Sequence, residues 1–262
     1  MTSVAVYSCF FGDPEPFNAQ AMGAGQDYDR ILFTDRHDIK PDGIETRVCS
    51  SAALGPLYES RRAKLMPHRM LAGYDWAIYV DNRASLTKTP HEIVAGLGAS
   101  TKPGRYVYEH PERTRVYDEL DVCFRVGHLD ETRWRNLDKL YKQHSLPASL
   151  TLTHNAVMLY KAGDTKSEIM SEIWFEMFLR YCRRDQLTMQ LAEHLAGTPA
   201  IRLNGDLSDI ATWPVFQPKE RSEALNPPGL VKPGGRLSYA RLQFKMAKMR
   251  RKALISAQQA RR

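Results

Sequence analysis

What the sequence withholds narrows its chemistry first. Its four cysteines, Cys9, Cys49, Cys123 and Cys182, form no CxxC pair. Neither a zinc ribbon nor a disulfide framework is therefore expected, and the thiols read as reduced. No GxxxxGK(S/T) loop occurs, and no GxGxxG follows the first predicted strand. These absences weigh against a P-loop nucleotide site and a dinucleotide oxidoreductase. GxSxG and HExxH are also missing, which argues against an elbow-type serine hydrolase and a zinc peptidase. No apolar run approaches the roughly 20 residues of a membrane span. There is no internal repeat. Met1–Val4 leads directly into a predicted strand, so no secretory leader is expected and the expected location is cytoplasmic.

Acid is the other conspicuous shortage, and it is local. Residues 224–262 hold ten Lys and Arg and no Asp or Glu. With +7 overall, the first 223 residues therefore net −3. A mildly acidic body with a basic appendage does not look like a nucleic-acid binder, and none is expected as a partner. The predicted organisation is one domain over 1–223, then a Pro/Gly linker and a basic tail over 224–262. Within the tail, Leu242, Met246, Met249 and Ala253 recur at helical spacing. That pattern predicts a basic amphipathic helix over 236–257, able to rest peripherally on an anionic membrane surface. The whole chain is 43% apolar and 26% charged, which suits a soluble globule with a sizeable core.

The body is organised around Tyr58–Leu86. Its first half has helical period and places Arg61, Lys64 and His68 on one face. Pro67 is expected to kink or split that helix. Its second half, Trp76–Val80, is a short apolar strand that stops at Asp81. A buried strand delivering a carboxylate at its C-terminal end is how open α/β sheets build ligand sites. A cationic helix face beside it suits a phosphorylated ligand.

Other strands are predicted at Val4–Ser8, Asp29–Thr34, Glu45–Val48, Arg105–Tyr108, Leu150–Tyr160 and Ala200–Leu203. The first ends in a turn at Gly12 needing positive φ, and the second ends on Asp35. In Leu150–Tyr160 the mid-strand pair His154-Asn155 is disfavoured, which predicts a bulge or a ligand contact. Helices are predicted at Thr89–Leu97, Arg113–Asp121, Glu131–Gln143, Thr165–Cys182 and Gln186–Leu195. For Thr165–Cys182 we expect a capping box at Thr165 and Glu168 and an apolar stripe of Ile169, Ile173, Met177, Phe178 and Tyr181. Asp185 is the expected N-cap of the last helix. Strands alternating with crossovers predict a mostly parallel sheet.

Four blocks of this sequence resemble a glycosyltransferase-like domain family long filed as a domain of unknown function. Its plant members include proteins linked to mucilage polysaccharide synthesis and one with a ceramidase label. The blocks are YSCFFGD at Tyr7–Asp13 with FTD at Phe33–Asp35; RRAKLMPH at Arg61–His68 followed by AIYVDN; HPERTRVYDE at His110–Glu119; and WFEMFLRYCRRDQL at Trp174–Leu187. They keep the family order and span residues 4–195.

The resemblance implies a GT-A-like, nucleotide-diphospho-sugar transferase fold. It implies transfer of a sugar from a nucleotide-sugar donor to a glycan or lipid-linked acceptor. The family's DxD-like position reads Asp81-Asn82-Arg83, with a cation where a second carboxylate is usual. Asp81 is thus the expected ligand of a Mn²⁺ or Mg²⁺ ion, with Arg83 the alternative neutraliser of the diphosphate. Expected donor contacts are Tyr7, Phe11, Asp35, Arg61, Lys64, Asp81, Asn82, Arg83, His154 and Asn155. Asp185 or Glu176 is expected to orient or deprotonate the acceptor, and Gln186 to bond a sugar hydroxyl. His68 and His110 are expected to be structural. Two further functions stay open at this point. One is a non-catalytic sugar-nucleotide or glycan-binding domain; the other is a lipid amide hydrolase, suggested by the ceramidase label.

Overall fold

The structure, a computed structural model, describes residues 2–12, 16–25, 27–49, 53–98, 101–147 and 150–213. The basic tail and its expected helix over 236–257 lie outside the described residues, as does Asp13.

A seven-stranded sheet runs in the order β3-β2-β1-β4-β7-β6-β8. Its strands are β1 (Val4–Phe10), β2 (Asp29–Thr34), β3 (Glu45–Val48), β4 (Trp76–Val80), β6 (Gly104–Glu109), β7 (Thr153–Lys161) and β8 (Ile201–Leu203). β1 pairs in parallel with β2 and β4, β2 with β3, and β6 with β8. β7 runs antiparallel to both its neighbours, β4 and β6. The mostly parallel α/β sheet is as expected. The reversal of β7 has a direct consequence: the start of β7 meets the C-terminal ends of β4 and β6 at one sheet edge. A small ribbon, β5 (Ser85–Leu86) with β9 (Ala211–Thr212), closes off the chain beyond that edge.

Both faces of the sheet are covered, and its central strands β1 and β4 are almost wholly buried and apolar. On one face pack α1 (Gly55–Leu65), α6 (Thr165–Tyr181) and α7 (Gln186–Ala196), around Tyr7, Phe33, Tyr79, Trp174 and Phe178. The other face holds Val6, Leu32, Ile78 and Leu159 with Ile93 of α3 (Pro90–Gly96). A third cluster joins α4 (Val116–Arg125) and α5 (Glu131–His144) to Leu187. Arg105 is fully buried and ties three elements together. Its guanidinium donates to the Leu65 carbonyl at the end of α1 (2.7 Å) and to Ser171 Oγ of α6 (3.0 Å).

Several local expectations hold for local reasons. Pro67 splits the organising helix: α1 ends at Leu65, and a short α2 (Pro67–Met70) follows after Met66 leaves helical geometry. Gly12 takes φ +68°. The bulge in β7 is present, because the register with β6 jumps from Val107↔Met158 to Tyr108↔His154.

Others shift. The helix expected at Arg113–Asp121 starts at Val116. His110 Nδ1 accepts the backbone N–H groups of Glu112 and Arg113 and holds residues 110–113 in a turn instead. α6 is capped by Asp164, whose carboxylate takes the N–H groups of Lys166 and Ser167, not by a box at Thr165. Its buried stripe is Met170, Trp174, Phe175, Met177 and Phe178, and Ile169 is 49% exposed. The helix carries two adjacent apolar rows. Trp174 chooses between them by burying its ring and donating from Nε1 to the Asp185 carbonyl (2.9 Å).

Candidate active site

Asp81 follows β4 directly, and its N–H is held by the Ala156 carbonyl of β7 (2.7 Å). That bond joins the end of β4 to the bulge of β7, and a cleft opens there. It encloses about 440 Å³ including its open mouth and is lined by Arg61, Lys64, Asp81, Arg83, His154, Asn155, Ala156, Arg184, Asp185 and Gln186. They come from four stretches of chain. Arg61 and Lys64 sit one turn apart on α1, Arg83 follows β4, His154–Ala156 form the bulge, and Arg184–Gln186 make the α6–α7 junction. Four cations face two carboxylates, so the cleft carries a net charge of +2.

The ion pairs are specific. Lys64 Nζ lies 2.6 Å from Asp185 Oδ2, with Arg61 Nε at 3.6 Å from the same oxygen. Lys64 Nζ also sits 4.8 Å over the Tyr79 ring. Asp185 Oδ1 accepts the Gln186 N–H, the capping bond expected of it. Asp81 Oδ1 takes the Arg83 N–H (3.3 Å), and the Arg83 Nε is 3.5 Å away.

Burial pushes the Asp185 carboxyl up, but Lys64 and Arg61 outweigh it and hold it well below the usual carboxylate range. Asp81 follows the same pattern, with burial opposed by Arg83, Lys64 and Arg61. Burial, helped by Arg83 and His110, brings His154 down to about 4, so its ring is neutral at pH 7. Five buried polar atoms of cleft residues make no hydrogen bond: Arg61 Nε, Arg83 Nε, Asp185 Oδ2, His154 Nδ1 and Asn155 Nδ2. The first three face ion-pair partners; His154 Nδ1 and Asn155 Nδ2 do not, and such buried unsatisfied atoms are uncommon.

Not every expected residue reaches the cleft. Tyr7 is core: its hydroxyl donates to the Lys64 carbonyl (2.9 Å) and its ring packs against Phe33 and Tyr79. Phe11 is buried in the same cluster. Asn82 turns away from the cleft, accepting the Asn18 N–H and donating to the Pro16 carbonyl, and so fixes the loop after β1. Asp35 stays at the sheet edge, but its carboxylate is taken by the Gly12 N–H (3.0 and 3.2 Å). Glu176 points outward from α6 and pairs with Arg180 (2.7 Å). Gln186 lines the cleft with its Nε2 donating to the Thr153 carbonyl (3.0 Å). His68 leaves the Arg61–Lys64 face because α2 begins between them, and it pairs with Glu172 (2.7 Å).

Three residues went unread. Arg184 lines the cleft and is braced by buried Glu119 of α4 (3.7 Å). Glu119 also holds Arg113 (2.7 Å). Arg113 reaches His110, whose ring is 5.8 Å from that of His154. Two of the recognised blocks, HPERTRVYDE and the RRD turn, thus meet at Glu119. Paired charges drawn from separate blocks were the available signal.

The protein's own donor set does not fill the coordination shell of a divalent ion; Asp81 would hold one only together with oxygens of a bound diphosphate and water. Mg²⁺ and Mn²⁺ take about six hard oxygen ligands in near-octahedral geometry. Asp81 is the one cleft carboxylate outside the Lys64–Arg61 pair, and Arg83 stands beside it. Among the described residues, no group of three His, Cys, Asp or Glu comes together to hold a metal. A further +2 charge would enter a cleft that is already cationic.

A family model, TOD1/MUCI70, glycosyltransferase-like domain, matches residues 57–204. The chain belongs to that family. The TOD1/MUCI70 match takes in most of α1, with β4, the β7 bulge and the Arg184–Gln186 junction, and so every residue lining the cleft. The mostly parallel α/β sheet is of the class that the sequence resemblance implied. Among solved structures, one similar chain is an apo structure of the bifunctional glycosyltransferase WbbM. It is 10% identical with a TM-score of 0.49, and the match covers 88% of this chain and 47% of that one. This chain therefore spans about half the length of WbbM. No curated protein matches the chain. Among the described residues, no helix is long and apolar enough to cross a membrane.

Proposed function

We propose that this protein binds a nucleotide-sugar donor in the Asp81 cleft and transfers its glycosyl group to a hydroxyl of a glycan or lipid-linked acceptor. The observation that carries the reading is the convergence of Arg61, Lys64, Arg83 and Arg184 at the C-terminal edge of parallel strands, in a chain of a glycosyltransferase-like family. A departing nucleoside diphosphate develops negative charge, and preorganised cations in a partly buried cleft stabilise that charge as it forms. Each charged hydrogen bond contributes about 1.5–3 kcal/mol. In this role Arg83 neutralises phosphate directly, in place of a metal held by a second carboxylate.

Neither carboxylate suits the part of general base. A base works best with a pKa near the operating pH, and both Asp81 and Asp185 are held low by cations. We therefore assign Asp185 to holding Lys64 and Arg61 in place, not to deprotonating the acceptor. Catalysis then rests on stabilising the leaving group. The unpartnered Asn155 Nδ2 is a donor for a hydroxyl of the transferred sugar.

The cation at Arg83 also supports a second reading, a nucleotide-sugar binder without turnover. A lipid amide hydrolase has less support. Burial raises the thiols of Cys123 and Cys182 to about 12, which leaves them poor nucleophiles.

Calorimetry with UDP-, GDP- and CMP-sugars tests the proposal. At least one should bind, with its nucleoside diphosphate released when a glycan acceptor is supplied. EDTA should leave the affinity unchanged within about twofold. Binding to no member of the panel would sink the donor assignment. Binding without turnover would favour the second reading. A tenfold loss in EDTA would show that a divalent ion shares the diphosphate after all.

A further inference from the structure

Three of the four tryptophans are buried: Trp76, Trp134 and Trp174 are 5% exposed or less. Trp213 is 42% exposed, and it stands at the mouth of the cleft. Its ring lies 5.3 Å from the His154 ring at an interplanar angle of 72°. The Arg83 guanidinium also packs against the ring, 5.8 Å from its centroid. Both partners line the cleft, so the indole extends the cleft wall outward.

The position is built, not incidental. Trp213 follows β9, which pairs antiparallel with β5. The Thr87 N–H bonds to the Ile210 carbonyl (2.9 Å) and ties the same two segments again. β5 begins two residues after Arg83, so the stretch that delivers Asp81 and Arg83 also fixes where Trp213 stands.

The side of the sheet matters as well. In open α/β sheets a ligand lies across the crevice where strand order reverses. Here β1, β2 and β3 lie on one side of β4, and β7, β6 and β8 on the other. A nucleotide spread towards β1 leaves the β7 side for carbohydrate. Trp213 is on that β7 side, against the ring of His154, whose Nδ1 is a buried atom without a hydrogen-bond partner. An aromatic face for the C–H side of a pyranose beside an unpaired group for one of its hydroxyls is the chemistry of a sugar subsite.

We propose that Trp213, with Arg83 and His154 behind it, is the stacking platform for the acceptor glycan. This deepens the glycosyltransferase reading and rests on it for the word acceptor. Trp213 lies beyond the family match at 57–204, so it is a feature of this chain that the family assignment does not supply.

The test uses the full chain, with Trp213→Ala and Trp213→Phe. Cellohexaose, maltohexaose, mannohexaose and xylohexaose are titrated by intrinsic fluorescence and calorimetry, with UDP and GDP titrated separately. The wild type should bind at least one hexasaccharide, with a change in the emission of its exposed tryptophan. The Ala variant should lose at least tenfold in that affinity, and the Phe variant less than about threefold. Nucleoside diphosphate affinity and thermal midpoint should stay with the wild type in both. The platform is overturned if the wild type binds no hexasaccharide, or if the Ala variant binds as the wild type does. It is also overturned if the folded Ala variant loses nucleotide and glycan together, since Trp213 would then serve the donor. Trp213-dependent glycan binding with no nucleotide-sugar binding would keep the platform and remove the glycosyltransferase reading.

Discussion

Arg61→Ala is expected to lower glycosyl-transfer turnover by about 10²–10³-fold, the scale lost when one preorganised charge-stabilising donor is removed, while the domain stays folded. The expectation follows from how Arg61 is held. Its Nε faces Asp185 at 3.6 Å and makes no hydrogen bond. Its guanidinium rests 6.0 Å from the Phe178 ring centroid. Burial disfavours its charge, but Asp185, Tyr79 and Asp81 outweigh that and keep it cationic. It is therefore a desolvated cation with capacity to spare for a ligand. Removing it leaves Asp185 still paired with Lys64 at 2.6 Å, so no buried charge is stranded. Arg61→Lys should recover part of the loss, because a point charge replaces a fork. The measurements are steady-state turnover and the thermal midpoint of both variants. Turnover within threefold of wild type in a folded Ala variant would remove Arg61 from the reaction.

Asp185→Asn should behave in the opposite way, through stability first. Asparagine caps a helix about as well as aspartate, so the bond to the Gln186 N–H survives. What disappears is the negative charge against Lys64, a side chain only 3% exposed. Stranding one partner of a buried pair costs about 3–5 kcal/mol. For a domain of this size that lowers Tm by roughly 6–20 °C.

The pH dependence gives the sign. The folded Asp185 carboxyl lies below its ordinary value, because Lys64 and Arg61 outweigh burial. An unfolded aspartate titrates near about 3.9. Its contribution is therefore fully present above that pH and is lost as pH falls through the folded value. The Tm gap between wild type and variant should be constant from about pH 6 to 8 and narrow below about pH 4. Equal midpoints at pH 7 would show that Lys64 does not depend on Asp185.

Much of the site was legible because it was local. The apolar run Trp76–Val80 stopping at Asp81 is a period-free buried strand, and β4 has those bounds. Arg61 and Lys64 share a helix face by spacing alone, and both line the cleft. A polar pair inside a strand signalled the β7 bulge, because a pleated, half-buried surface disfavours asparagine. Proline and glycine marked the breaks at Pro67 and Gly12 by removing or permitting backbone states, which needs no knowledge of neighbours.

What was illegible depended on partners far along the chain. Asn82 is adjacent to Asp81 yet faces the loop at Pro16–Asn18, since successive residues past a strand end need not share a direction. Glu176 and Asp185 lie nine positions apart in one recognised block, but the helix turns the first to solvent and the α6–α7 junction turns the second inward. Ile169 and Met170 have equal claims as apolar residues, and only the seat of Trp174 decides between their rows. Arg184 owes its place to Glu119, 65 residues earlier.

Residue types and their spacing alone determined where most strands and helices of this protein form and which strand ends carry charge. Hydrophobic period and backbone restriction act over a few residues, and the sequence displays them directly. Tertiary structure alone decided that β7 reverses, that its bulge meets Asp81, and that four cations from three segments share one cleft with Trp213 at its mouth. Those outcomes come from burying both sheet faces at once and from compensating each buried charge with a partner wherever the fold brings one near.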